Sequence, residues 1–255
     1  MYLIINADDF GYTKGVNKGI LQAMRDGVVT STSLMVNQEG TCDALAMLRF
    51  GNISKVGVHL CLTAGAPLNP PELVPSLVNE QGRFKDYRAL YRQVLPEGEV
   101  LRELQAQVGL VLSAGFKVTH LDTHHHIHTH PVILDALINI AKTYRLPVRS
   151  ITGEMRFMLW QNGIPTPDHF CGDWFAGGVS VRAFKEYVTT ALRAGVRVME
   201  LMTHPGIADD VLRQRSSYTS ERERELAILC DPNLLRWLND RNVRLSSYSV
   251  LHGIH

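Results

Sequence analysis

Thr119–Pro131, THLDTHHHIHTHP, is the stretch on which the reading of this chain turns. Six of the chain's 11 histidines lie in it: His120, His124, His125, His126, His128 and His130. The apolar run Phe116–Leu121 leads into them. Pro131 then opens an amphipathic segment carrying Val132, Ile133, Leu134, Leu137, Ile138 and Ile140. This is the pattern of strand, loop and helix, with proline at the first helical position, where no backbone donor is needed. The histidines therefore stand where a strand ends, the edge at which parallel α/β folds gather their chemistry. Neutral imidazole is the commonest side-chain metal ligand, so two or three histidines of the cluster His124–His128 are candidate ligands. A polar, histidine-rich surface loop with weak metal affinity is the competing reading. Partners at other strand ends decide between the two.

Upstream, Tyr2–Ala7 is an unbroken apolar run that ends in Asp8 and Asp9. Such a run suits a strand buried on both faces, and adjacent carboxylates at its end are costly to bury unless they bind something. In an extended strand the two point to opposite sides, so one can bind a metal while the other takes a proton. Capping the next helix, or starting a turn before Gly11, is the plainer role for either. Helical spacing follows over Lys14–Asp26, with Gly27 as the stop. A second strand is expected over Val28–Val36, a second helix over Thr41–Phe50, and a third strand, containing His59, over Lys55–Thr63.

Ala64–Glu99 carries Pro67, Pro70, Pro71, Pro75 and Pro96 and reads as an insertion over the active face. Val100–Ala114 is helical, and the helix opened by Pro131 ends near Arg145. Pro147–Ile151, with Arg149, is expected as a short fifth strand. Thr152–Gly178 is a second irregular insertion, holding Trp160, His169 and Trp174. A helix over Val179–Ala194 leads to a strand over Val196–Met202 and then Thr203–Gly206, THPG. Helices over Ser220–Leu229 and Pro232–Arg241 precede a seventh strand over Val243–Val250. The alternation predicts one α/β domain over residues 1–255, a distorted (β/α) barrel of about seven strands, TIM-like, with insertions at about 64–99 and 152–178. An open doubly wound sheet is the alternative. There is no GxGxxG or P-loop pattern to suggest a nucleotide.

With 255 residues, 45% of them hydrophobic, the chain can bury a sizeable core. A net charge of +1 with no basic block argues against nucleic acid as a partner. No apolar run approaches the roughly 20 residues of a membrane span. The start, MYLIINADD, lacks a basic secretory n-region. Cys42, Cys61, Cys171 and Cys230 are widely spaced and are expected as free thiols in a reducing cytoplasm. Thr30, Ser31 and Ser33 have no nucleophile-elbow context.

Asp8–Asp9, His59, His124–His128 and His204 all fall at or near strand ends, which share one face of a parallel barrel. One carboxylate and two imidazoles form a facial metal set with open positions, able to activate water and polarise a carbonyl. Taken alone, His59 is more often a hydrogen-bonded core residue. His204, before Pro205 and Gly206, suits a general acid, a ligand or a turn. Arg149 and Glu200 are placed to tune an acid or base, or to form a structural ion pair. With Asp122 and His128 they are candidates for substrate contacts or for supporting the ligands. Tyr87, Tyr91, Trp160 and Trp174 lie in or beside the insertions, where aromatics stack on sugars or simply pack.

Five segments in order, INADDFGYTKGVNKGI (5–20), GVVTSTSLM (27–35), GVHLCLT (57–63), THLDTHHHIHTHP (119–131) and ELMTHPG (200–206), carry a resemblance. The chain resembles the YdjC/ChbG family of carbohydrate deacetylases, relatives of the NodB-like polysaccharide deacetylases. The resemblance implies a NodB-like barrel and a divalent metal, Zn2+ or Mg2+, held by Asp9, His59 and His124. It implies Asp8 as general base, His204 as general acid and Arg149 as the residue that orients the base. It also implies acetylated chito-oligosaccharides such as diacetylchitobiose as substrates, a cytoplasmic location and a homodimer. Two other functions fit less of the pattern. A metal-dependent phosphoesterase would favour a paired HxH near the N-terminus, where Asp8–Asp9 stand. A non-catalytic sugar- or metal-binding protein would have no use for Asp8 and His204.

Overall fold

Strand β1 (Tyr2–Phe10) is buried along almost its whole length, as an apolar run covered on both faces must be. The computed structural model describes residues 1–252 and sets β1 in the middle of a seven-stranded parallel sheet. Residues 253–255, the last of the span expected as one domain, lie outside the described residues. The strands run in the order β4 (Lys117–Thr123), β3 (Lys55–Leu60), β2 (Ser31–Leu34), β1, β6 (Val198–Thr203) and β5 (His169–Cys171). A two-residue β7 (Arg244–Leu245) pairs with the start of β1. The longer helices are α1 (Lys14–Asp26), α2 (Thr41–Phe50), α4 (Glu97–Ser113), α5 (Pro131–Tyr144), α7 (Val181–Arg193) and α9 (Ser220–Leu229). Shorter ones are α3 (Tyr87–Tyr91), α6 (Gly153–Gln161), α8 (Asp210–Arg215) and α10 (Pro232–Asn239). Thr13 caps α1 by accepting from the Val16 N–H, and Pro131 stands in the first turn of α5.

Period-two alternation sorts the strand residues. Leu3, Ile5 and Ala7 of β1 join Met199 and Leu201 of β6 in the core shared with Val16, Ile20, Leu48, Leu137 and Phe184 of the helices. On the other face, Ile4 packs with Val198, Tyr248 and Leu251 in a separate apolar cluster. Asn6 and Asp8 follow Ile4 on that face, so an apolar floor gives way to polar residues towards the strand ends. Gly57 serves this inner face: a Cβ there would lie 2.2 Å from the buried His120 ring, which stacks on Tyr248 at 3.7 Å. Gly19 lets α1 approach the chain after β6, since its Cβ would lie 2.5 Å from the Cα of Gly206.

The α/β architecture is as expected, but the sheet closes differently. The expected fifth strand, Pro147–Ile151, is reduced to a single parallel bridge, Val148 to Leu121. Strand β5 lies instead at His169–Cys171, inside the stretch expected to be irregular. Pro147, Pro165 and Pro167 explain the broken ladder, because each lacks a backbone donor. Isolated hydrogen bonds span the gap: Leu121 N–H to Pro147 O (2.9 Å), Arg149 N–H to Leu121 O (3.0 Å), Val148 N–H to Pro165 O (3.0 Å) and Asp168 N–H to Val198 O (2.9 Å). The parallel sheet thus curls towards a barrel whose last seam is irregular backbone. Arg149, beside β4, reaches Glu200 on β6 and Asp8 on β1 across that curl. The expected seventh strand, Val243–Val250, holds only two residues before a 3-10 turn at Tyr248–His252. The 64–99 insertion contains a 3-10 turn at Pro71–Leu73, an antiparallel bridge from Val78 to Phe84, and α3. All four cysteines are free. Among the described residues no helix is long and apolar enough to cross a membrane.

Candidate metal centre and active site

Strict alternation would turn Asp9 outward with Leu3, Ile5 and Ala7. Asp9 instead has φ +68°, and the register of β1 against β2 shifts between Ala7 and Phe10. This bulge turns the second carboxylate into the cavity that Asp8 also lines. A non-glycine residue held at positive φ is costly, and such costs concentrate at functional sites. The expectation of opposite sides fails here because β1 does not stay extended to its end.

His59 lies at the end of β3, where its Nδ1 pairs with Asp122 Oδ1 at 2.9 Å. That contact fixes the ring and leaves Nε2 facing Asp9 Oδ1 at 3.4 Å. His124 follows β4, and its Nδ1 lies 3.1 Å from the same Asp9 oxygen. Beyond it, His125 (φ +56°) and His126 (φ +51°) form a left-handed kink that breaks the 3-10 turn. Asp9, His59 and His124 each offer an atom, all within 4.8 Å of one another. One carboxylate and two oriented imidazoles fit a divalent cation. Asp8, His59 and Asp122 also lie within reach of one another. There the Arg149 guanidinium occupies both Asp8 oxygens and approaches Asp122 at 3.1 Å, which opposes a cation.

Beneath the cavity lies a buried charge network. Arg149, fully buried, donates to Asp8 Oδ2 at 2.6 Å, Asp8 Oδ1 at 2.7 Å and Glu200 Oε1 at 2.8 Å. Asn6 also donates to Asp8 Oδ1, at 2.8 Å. Burial alone would raise the Asp8 carboxyl, but the Arg149 charge outweighs it and holds the pKa below the ordinary value. Asp9 is treated likewise by Arg222, His124 and His59 and is held well below that value. Burial would lower His59, but Asp122, with Asp8 and Asp9, pushes it up to about 10. Burial raises Glu200 despite its bond to Arg149.

His204 follows β6 on the far side of the cavity. Its backbone N–H donates to Glu225 Oε2 at 2.5 Å, and its Nδ1 lies 4.0 Å from Glu225 Oε1. Tyr218 O–H donates to that Oε1 at 2.5 Å. Burial lowers His204 to about 4 and raises Glu225 to about 8. Phe175 stacks on Tyr218 with centroids 4.3 Å apart and meets His204 edge-on at 5.3 Å. Arg222, one turn before Glu225 on α9, reaches Asp9 Oδ2 at 2.6 Å. The open cavity measures about 540 Å³, and its wall includes Asp8, Asp9, His59, His124 and His204.

The structure therefore brings five candidates, Asp8, Asp9, His59, His124 and His204, around one cavity. Arg149, Asp122 and Glu200 lie below it, in contact with its residues and not with its space. His128 is fully buried, with Nδ1 on Thr123 Oγ1 at 2.5 Å, so it braces the end of β4 and cannot contact a substrate in the cavity. Trp174 is buried against Phe184, and Trp160 is exposed on α6 away from the cavity. Sequence reading missed Tyr12, Phe175, Tyr218, Arg222 and Glu225. In SERERELAIL, Arg222 and Glu225 look like a solvated helix face, and only their i, i+3 spacing hints that they act together.

A family model described as "YdjC-like protein" matches residues 2–240. A carbohydrate deacetylase from Brevibacillus brevis is 41% identical, over 98% of this chain and 100% of its own length. Another, from Geobacillus stearothermophilus, is 40% identical over 99% of both chains. The crystal structure of a proposed cellobiose-phosphate cleavage protein from Enterococcus faecalis superposes with a TM-score of 0.92 at 32% identity, covering 98% of each chain. By sequence along nearly its whole length, and by fold, this chain belongs to the YdjC-like protein family.

Proposed function

We propose that this chain is a metal-dependent carbohydrate deacetylase. It removes the N-acetyl group from an acetylated amino sugar or chito-oligosaccharide, such as diacetylchitobiose, and releases acetate. The observation that carries the reading is the single cavity shared by the ligand set Asp9, His59 and His124, the carboxylate Asp8 and the imidazole His204. The names of the curated relatives support the reaction class. Asp9, His59 and His124 would hold the cation, Zn2+ or Mg2+, which when bound polarises the acyl carbonyl and acidifies water.

The protein's own residues do the rest. Asp8 is ionised at neutral pH because Arg149 keeps it so, and it takes the proton of the attacking water. Arg149 holds both Asp8 oxygens, which fixes the direction from which that proton is accepted. His204 protonates the departing sugar nitrogen. Glu225 holds the backbone N–H of His204 through Oε2 and so positions the imidazole at the cavity wall. In its protonated form His204, whose pKa burial lowers to about 4, gives up its proton readily and returns to neutral imidazole. Phe175 and Tyr218 present ring surface beside His204, suited to the apolar face of a pyranose.

Acetate release from N-acetylated mono- and disaccharides, assayed with several divalent metals, tests the reading. Asp8→Asn and His204→Ala are each expected to lower turnover by roughly a hundredfold to ten-thousandfold. Near-normal turnover in both would discard these roles. Phosphate release from phosphosugars without any acetate would replace the reaction class. The reading also carries the expectation of a cytoplasmic homodimer, which light scattering on the purified protein checks as to assembly.

A further inference from the structure

The two oxygens of Asp9 have different neighbours. Oδ1 faces His124 Nδ1 at 3.1 Å and His59 Nε2 at 3.4 Å. Oδ2 is taken by Arg222 Nη2 at 2.6 Å. Arg222 is itself held in place: it is 4% exposed, its Nε donates to Tyr218 O at 3.2 Å, and its guanidinium lies 5.6 Å from the Tyr218 ring and 6.0 Å from the Tyr12 ring. A carboxylate free to rotate can offer a cation both oxygens. One with Oδ2 fixed by a guanidinium offers only the other.

We propose that Arg222 is a positioning residue of the metal centre, pinning Oδ2 of Asp9 so that Oδ1 alone completes the set with His59 and His124. This rests on the reading of those three residues as the ligands. With Oδ2 withheld, a cation held by the three residues would keep a position for water or the acyl oxygen. Arg222 thus acts on the reaction through Asp9 and not by touching substrate. A merely structural Arg222, tying α9 to the end of β1, would affect stability and leave metal coordination in the folded protein unchanged. The two roles are therefore separable without any turnover measurement.

The test is a Co2+ titration of chelator-stripped protein, read by calorimetry and by the visible absorption that reports coordination number. Wild type, Arg222→Met and Arg222→Lys are compared, with near-ultraviolet circular dichroism confirming the fold. Arg222→Met is expected to change Co2+ affinity on the order of 10–100-fold, the size of effect that removing an outer partner of a ligand typically has. Its visible bands should weaken as Oδ2 joins the cation. Arg222→Lys keeps the charge without the planar fork and should fall between the two. Wild-type affinity and wild-type bands in folded Arg222→Met overturn the proposal, and the same result in Arg222→Lys does so if the Met variant does not fold. If wild-type protein itself binds no Co2+, the ligand assignment and the proposed function fail with it, a result distinct from loss of the Arg222 effect alone.

Discussion

Replacing Arg149 by Met tests whether the charge network under the cavity is organised as described. The side chain is fully buried and makes close contacts, 2.6–3.1 Å, to Asp8, Glu200 and Asp122, themselves 0–1% exposed. Its removal leaves three buried carboxyl groups with His59 as the nearest counter-charge. Removing one partner of a buried ion pair typically costs about 3–5 kcal/mol, a large part of a domain stability of roughly 5–15 kcal/mol. For a chain of this size about 1 kcal/mol moves Tm by roughly 2–4 °C, so a fall of about 6–20 °C is expected.

The loss should depend on pH with a definite sign. In the wild type Asp8 has a folded pKa below its ordinary value of 3.8. Its contribution is present above that value and disappears as pH falls through the folded pKa. Without Arg149, burial and Asp122 dominate and the folded pKa rises. The penalty is then full at pH 7 and shrinks as pH falls towards the unfolded value of 3.8, below which Asp8 becomes neutral in the unfolded state as well. Calorimetric Tm values for both proteins from pH 4 to 8 measure the gap. Asp8→Asn in the Arg149→Met background should recover part of the lost stability, because the two residues are one unit. A gap that is constant across this range, or smaller than about 2 °C at pH 7, would refute the reasoning.

Gly57→Ala should destabilise by about 1–3 kcal/mol in urea unfolding, because the added methyl meets the His120 ring and Tyr248 stacked behind it blocks retreat. A change within about 0.5 kcal/mol would mean the inner face is looser than described. Glu225→Gln removes a carboxyl whose folded pKa is raised to about 8 from 4.5. The wild type keeps that group's stability below pH 4.5 and loses it as pH rises through 8, so Tm of the Gln variant relative to wild type should be higher at pH 9 than at pH 5. The same variant keeps an oxygen to accept from the His204 N–H but weakens that hold, and should release acetate a few-fold to about tenfold more slowly, measured at pH 7.

Much of the site was legible because chemistry followed periodicity. The apolar run before Asp8–Asp9, the single histidine in KVGVHL and the cluster after VTHLDT each marked a strand end, and parallel strands present their ends to one face. The seam of the sheet was not legible. PVRSI has the composition of a strand, yet Pro165 and Pro167 deprive its neighbouring segment of donors, while HFC is too short to stand out in sequence. Arg222 and Glu225 were hidden for another reason. A charged helix looks alike whether its charges meet water or a buried carboxylate and imidazole.

What the amino-acid order determines by itself is local: which segments are strands or helices, where each ends, and which titratable groups stand at those ends. Those outcomes depend on period, capping and proline, all set within a few residues. The tertiary structure alone decided that Asp9 turns inward at φ +68°, that Oδ2 meets an arginine 213 positions away, and that His59 presents Nε2 because Asp122 holds Nδ1. The direction of a carboxylate or the free nitrogen of an imidazole is fixed by a hydrogen-bond partner. Here those partners are brought together by packing between elements that are remote in the chain.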